Sequence, residues 1–182
     1  ALTAELRQKV DDSVTAIDNS KMVVVAKQGS KEETVQQSKA EYKTARTIIS
    51  RVKSYLVSQI PGLQKDKLLQ GYLLDGALPS SFNDIFRVIK AILQENTNQA
   101  GTAWELPAAI ITEVTDARNA MAQFQIAVEA AKGAYHEAMQ DQRNTKATGQ
   151  VIIRRVREYL YAVLPAGKRD MKLKEYGLDP WD

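Results

Sequence analysis

Apolar residues recur along this chain at intervals of three, four or seven, the spacing of one face of a helix and not the alternation of a strand. The stripe runs through Leu6, Val10, Ile17 and Val24, then Val35, Tyr42, Ala45, Ile49, Val52 and Leu56. It reappears as Ile110, Val114, Met121, Phe124 and Val128, followed by Ile152, Val156 and Leu160. Pro61 and Pro165 lie just beyond the two stripes. Proline has no amide proton to donate and pushes the residue before it out of helical geometry, so each is predicted to end a helix.

The stripes resemble one another because the sequence repeats. Setting residue n against residue n+104 aligns 1–78 with 105–182 without a gap, and 23 of the 78 positions are identical. Identities include Val10 with Val114, Asp12 with Asp116, Gly29 with Gly133, Ile49 with Ile153, Arg51 with Arg155 and Tyr55 with Tyr159. They continue at Pro61 with Pro165, Tyr72 with Tyr176 and Asp75 with Asp179. Shared helical composition does not hold one register through a proline and two separated polar positions, so the reading is a tandem duplication of one helical unit.

Gly29 and Ser30, with Glu33 at the capping-box distance, predict a hairpin within the first copy, and Gly133 predicts one in the second. One continuous helix is the alternative. No proline interrupts 4–60, and the apolar phase carries through Lys27, Lys31 and Val35, and through Ala131 and Tyr135 in the second copy. Such a helix would be roughly 85 Å long, long for one compact domain. Between the copies, Pro79 and the Ser81 to Asp84 spacing predict a further helix, with Phe82, Ile85, Phe86, Ile89, Ile92 and Leu93 on one face. A polar linker containing Gly101 follows, and Trp104 with Pro107 marks the start of the second copy. The predicted fold is all-α: a pseudo-symmetric four-helix bundle, one hairpin per copy, with a connecting helix in 79–104 and a single domain over 1–182. Tyr72-Leu73-Leu74-Asp75 and Tyr176-Gly177-Leu178-Asp179 read as hooks folding back over the bundle end.

Composition narrows the chemistry. With 182 residues, 44% of them apolar, the chain is long enough for one substantial core. Its longest apolar runs, such as Met22 to Ala26, fall far short of the roughly 20 residues that span a bilayer, which predicts a soluble protein; its compartment stays open, with the cytoplasm slightly favoured. A start at Ala-Leu-Thr without Met fits a processed product with an upstream signal or anchor removed. The absence of cysteine excludes disulfides, thiolate catalysis and cysteine metal sites.

His136 is the single histidine, and Gly133 stands where a Glu-x-x-His pair would need its carboxylate. Neither a nucleophile elbow nor a glycine-rich phosphate loop is present. The expectation is therefore a protein that is not an enzyme, with no metal and no cofactor. Asp12 and Asp116 are expected to hydrogen-bond or salt-bridge at the core edge, the alternative being a pair of catalytic acids.

Charge is balanced overall, 25 basic against 22 acidic residues for a net +3, but unevenly spread. Residues 143–174 hold nine cations, among them Arg154, Arg155, Arg157 and Lys168, against Glu158 and Asp170, a net +7. Residues 105–142 carry a net −4, so in a hairpin the two would face and neutralise each other. The alternative is a surface for nucleic acid or another polyanion. Arg51 with Tyr55, and Arg155 with Tyr159, recur at i,i+4 spacing, which sets each guanidinium beside a ring. The candidate binding residues are accordingly Arg51, Tyr55, Arg154, Arg155, Arg157 and Tyr159.

The run Val151-Ile-Ile-Arg-Arg-Val-Arg-Glu-Tyr-Leu160, followed by Leu173-Lys-Glu-Tyr-Gly-Leu-Asp-Pro180, resembles the ends of uncharacterised bacterial α-helical repeat proteins. Those carry a long Ala-rich helix, an Arg-rich helix and a closing aromatic-Gly-x-x-Pro tail. The resemblance covers the last part of the chain and, less closely, 44–75, where Leu73 replaces the tail glycine and Gly76 the proline. It implies a helical fold and a bacterial source, and transfers no catalytic residue. The function expected is that of a non-enzymatic structural or protein-interaction module, a monomer or dimer with an unknown protein partner.

Overall fold

The structure is a computed structural model that describes residues 3–59 and 64–175, and all its regular structure is helical. The elements are α1 (Ala4–Gln59), α2 (Gln64–Gly71), α3 (Phe82–Asn98), α4 (Ala108–Val163) and α5 (Ala166–Glu175). Both ends of α4 lie 104 residues beyond the ends of α1, and α5 ends 104 residues after α2. Pro165 stands between α4 and α5 as expected of a helix stop, while Pro61 lies outside the described residues.

The expected hairpins do not form. Gly29 and Gly133 are interior residues of α1 and α4, each an unbroken helix of 56 residues, so the four helices anticipated from two hairpins are two long ones. An interior glycine costs about 1 kcal/mol relative to alanine, less than a turn would forfeit in lost i→i−4 hydrogen bonds and broken apolar phase. Glu33, expected to cap, accepts instead from Gln37 Nε2 one turn further along, at 3.4 Å. The neutralisation expected between 105–142 and 143–174 fails for the same reason, since most of both segments lies on α4 and cannot fold against itself.

The chain divides into two compact units, one formed by 31–131 and the other by 1–30 with 132–182. In unit 31–131 the second half of α1 and the first part of α4 share a core with α2 and α3. Ala45, Ile49, Val52 and Leu56 of α1, Val114, Ala117 and Met121 of α4, and Ile85, Val88, Ile89 and Ile92 of α3 are all buried in one cluster. Helix α3 begins at Ser81, whose Oγ accepts from the Asp84 amide at 3.1 Å and donates to the Asp84 carboxylate, capping the first turn as its spacing predicts. Its four buried aliphatics contribute about 1.5–3 kcal/mol each, which is what holds this amphipathic helix in place.

Helix α2 ends in a Schellman turn. The Leu74 amide reaches back to the Leu69 carbonyl at 2.6 Å and the Leu73 amide to Gln70 at 3.0 Å, with Leu73 in the left-handed region at φ 55°. Leu69 and Leu74, the apolar pair such a turn brings together, are both buried, as is Tyr72, whose hydroxyl donates to the Trp104 carbonyl at 3.3 Å. The first predicted hook thus folds into the core; its counterpart at Tyr176 to Asp179 lies outside the described residues.

In unit 1–30 with 132–182, the first half of α1 runs antiparallel to the second half of α4. Gly149 is buried at their crossing beside Ser13 and Ile17. Further along, Val156, Leu160 and Leu173 of α5 form a small buried cluster against Leu6, Val10 and Tyr159. No helix corresponding to α3 is among the described residues of this unit, and its core is correspondingly thin.

Candidate interaction surface

Because α1 and α4 share their bounds at an offset of 104 residues, the two units can be compared position by position. Ile49 is fully buried, whereas its equivalent Ile153 keeps 41% of its surface exposed. Val114 is fully buried and Val10 only half-buried; Met121 is buried and Ile17 half-buried. Arg118, beside the C-terminal half of α3 near Lys90 and Leu93, corresponds to Val14, which is 53% exposed. Positions buried in the cluster that includes α3 in one unit are therefore less covered in the other, where Val14 on α1 and Ile153 on α4 are exposed beside the half-buried Val10 and Ile17.

Polar groups at the edge of this face differ in the same way. In unit 31–131, Lys53 Nζ donates to the Gly76 carbonyl at 2.6 Å and the Tyr42 hydroxyl donates to the Ser80 carbonyl, both acceptors in the segment that leads into α3. The equivalent residues are Arg157 and Lys146. The Arg157 side chain is partly buried, and its Nε is shielded from solvent with no hydrogen-bond acceptor. Lys146 is exposed. By helical spacing Arg143, Lys146, Ile153 and Arg157 share one edge of α4, an edge of three cations with no carboxylate among those positions.

The predicted binding residues are placed as follows. Arg51 Nη1 pairs with Glu113 Oε2 at 2.7 Å, joining α1 to α4, so its guanidinium goes to a carboxylate and not to the ring of Tyr55. Tyr55 is half-buried against the larger core. The equivalents of this ion pair are Arg155 and Lys9, both cations; Lys9 turns instead to Glu5 on its own helix at 2.6 Å, and that contact lowers the Glu5 pKa. Arg155 is exposed, and Arg154 approaches Glu158 at 3.8 Å. Tyr159 packs on the small core with Val156 and Leu160. The set expected to act together is thus divided: Arg51 and Tyr55 belong to one unit, and Arg154, Arg155, Arg157 and Tyr159 to the other.

His136 is exposed, its ring 5.8 Å from that of Tyr135, and among the described residues no group of three or more His, Cys, Asp or Glu residues is arranged to hold a metal ion. Asp12 and Asp116, expected at the core edge, are both exposed; Asp12 accepts from Gln8 at 2.8 Å. A surface cavity of about 550 Å³ lies between α2 and the end of α3, with Leu68, Gly71 and Trp104 in its wall. Its carboxylate, Glu95, is tied to Gln99 at 2.8 Å and Asn98 at 3.1 Å. Nearby, Tyr72 has its pKa pushed up to about 12, first by burial and then by the charges of Glu95 and Glu105.

No family model, no curated protein and no solved structure matches this chain. None of the described helices is long and apolar enough to cross a membrane.

Sequence reasoning missed the exposed face because Val14 lies off the stripe of Leu6, Val10 and Ile17, and Ile153 stands beside Ile152, the residue placed on the second stripe.

Proposed function

We propose that the protein is a non-enzymatic interaction module, and that the face left open by α1 and α4 in unit 1–30 with 132–182 is its binding element. The observation that carries this reading is the contrast between Ile49, buried under α3, and Ile153, the same residue at the equivalent position with 41% of its surface exposed. Exposed apolar side chains grouped on a helix face and edged by charge are a common form of protein-binding surface. The duplication supports it, because one copy shows what an occupied face looks like.

Binding of nucleic acid or another polyanion is the second reading, favoured by the exposure of Arg154, Arg155, Lys168 and Lys174. Several neighbouring cations are already engaged. Arg169 Nε donates to the Leu164 carbonyl at 2.8 Å and its guanidinium lies over the Tyr161 ring at 5.2 Å, while Lys172 bridges to Glu175. The protein-interaction reading is tested by isolating the full chain from its native cell at moderate salt, with metal analysis, activity screening and nuclease treatment. A nuclease-resistant stoichiometric protein complex is the expected result. Reproducible turnover, a stoichiometric metal, or complexes that vanish with nuclease would overturn it.

A further inference from the structure

We infer that the open face of α1 and α4 receives one amphipathic helix with an acidic flank, supplied by a partner protein and seated as α3 is seated on the equivalent face. The inference rests on the interaction reading above and adds the chemistry of the partner.

Three observations define the occupant. The first is shape. In unit 31–131 the positions equivalent to Val10, Ile17 and Ile153 are filled by Val114, Met121 and Ile49, all buried in one cluster with Ile85, Val88, Ile89 and Ile92 of α3. The complement of this surface is therefore a single helix with apolar residues spaced i, i+3, i+4 and i+7.

The second is hydrogen bonding. Lys53 and Tyr42 are satisfied by carbonyl oxygens of the segment leading into α3. Arg157 and Lys146 stand at those places, and Arg157 holds a buried Nε–H without an acceptor. A buried donor left unpaired is costly, and a guanidinium is best satisfied by a carboxylate, which its planar fork can hold at two points. The incoming helix is expected to bring that acceptor.

The third is charge. The α4 edge of the face presents Arg143, Lys146 and Arg157, whereas the corresponding positions in unit 31–131 are Lys39, Tyr42 and Lys53. Substituting a cation for Tyr42 favours an acidic flank over a neutral one such as α3 itself, which carries two acids and two bases (Asp84 and Glu95 against Arg87 and Lys90). A second copy of this chain would bring the same three cations against themselves if the faces met directly, which argues against self-association through this face.

The test uses the full chain and three synthetic 17-residue helical peptides. One carries the apolar stripe of Phe82, Ile85, Ile89 and Ile92 with glutamates on one flank, the second has lysines there, and the third has the acidic composition with its stripe scrambled. The acidic amphipathic peptide is expected to bind with perturbed backbone resonances at Val10, Val14 and Ile153. Affinity should exceed that of the lysine and scrambled peptides by at least about tenfold, and fall by about tenfold in Ile153→Asp and in Lys146→Glu. Ile153 and Lys146 are both exposed, so folding is expected to survive, and circular dichroism melts verify it. Equal binding of the three peptides, or binding unchanged by Ile153→Asp, would overturn the inference. So would a dimer of the free chain that Ile153→Asp dissociates, or protection of Val14 and Ile153 by residues 176–182. A native partner that covers Ile153 without an acidic helix would overturn the inference while leaving the interaction reading intact; a native partner mapped to another surface, turnover or a stoichiometric metal would remove both.

Discussion

A Cβ atom placed on Gly149 would come within 2.9 Å of Ile17 Cδ1 and 3.1 Å of Ser13 Oγ, so α4 presents no side chain where the Ile17 and Ser13 side chains of α1 pack against it. The equivalent of Gly149 is Ala45, buried in the same cluster as Ala117 and Met121, the equivalents of Ser13 and Ile17. The two units therefore use one packing register with different clearance. Gly149→Ala sets a helix-propensity gain of about 1 kcal/mol against displacement of the mobile end of Ile17, and should change stability by less than about 1 kcal/mol. Gly149→Leu forces the helices apart and should destabilise by about 1–3 kcal/mol in urea titration.

Gly29 and Gly133 have nothing within 4 Å of the position a Cβ would take, and both lie inside long helices. Alanine at either site should stabilise by about 0.5–1 kcal/mol, by removing conformational freedom from the unfolded chain. A hairpin ending on a left-handed glycine would respond in the opposite sense, so thermal melts of Gly29→Ala and Gly133→Ala report on helix continuity.

Much of this architecture was legible in the sequence. The apolar spacing marked the stretches that are helical, Pro165 marked the end of α4, and the Ser81 to Asp84 spacing marked the start of α3, while α1 and α4 were each read as a hairpin with one continuous helix as the alternative. The decision at Gly29 was not legible, because glycine, serine and glutamate at capping spacing also occur inside helices and the energetic difference is small. The Arg51–Glu113 pair was invisible too, since it joins residues far apart in sequence whose proximity follows only once α1 and α4 are seen to be unbroken and antiparallel. Arg51 and Arg155 match at the 104-residue offset, but Arg51 pairs with Glu113, whereas the residue at the offset of Glu113 is Lys9.

Leu73 adopts a left-handed conformation at φ 55°, which costs a side-chain-bearing residue about 1–2 kcal/mol. The second copy has Gly177 at that position. Because the Leu73 side chain is 43% exposed, Leu73→Gly gives up little burial while relieving the turn. A gain of up to about 1 kcal/mol is expected in denaturant titration.

Tyr72 supplies a pH dependence. Its folded-state pKa is raised to about 12 from an ordinary value of 10, so the folded protein favours the neutral phenol more than the unfolded chain does. That stability is fully present below pH 10 and is lost as pH rises from 10 through about 12. Absorbance titration at alkaline pH should show one tyrosine ionising later than the others, missing in Tyr72→Phe. The variant should also lose less stability over that alkaline range than the parent.

The contrast between the covered and open faces can be measured chemically, because the chain contains no cysteine and a single introduced thiol reports on its own position. Maleimide labelling of Ile49→Cys and Ile153→Cys under native conditions compares the two equivalent sites directly. Cysteine at 153 should react within about tenfold of its rate in the unfolded chain, while cysteine at 49 should be slower by at least about a hundredfold, since its exposure requires α3 to open. Equal protection at the two positions would mean that the second face is already covered, and would contradict the account.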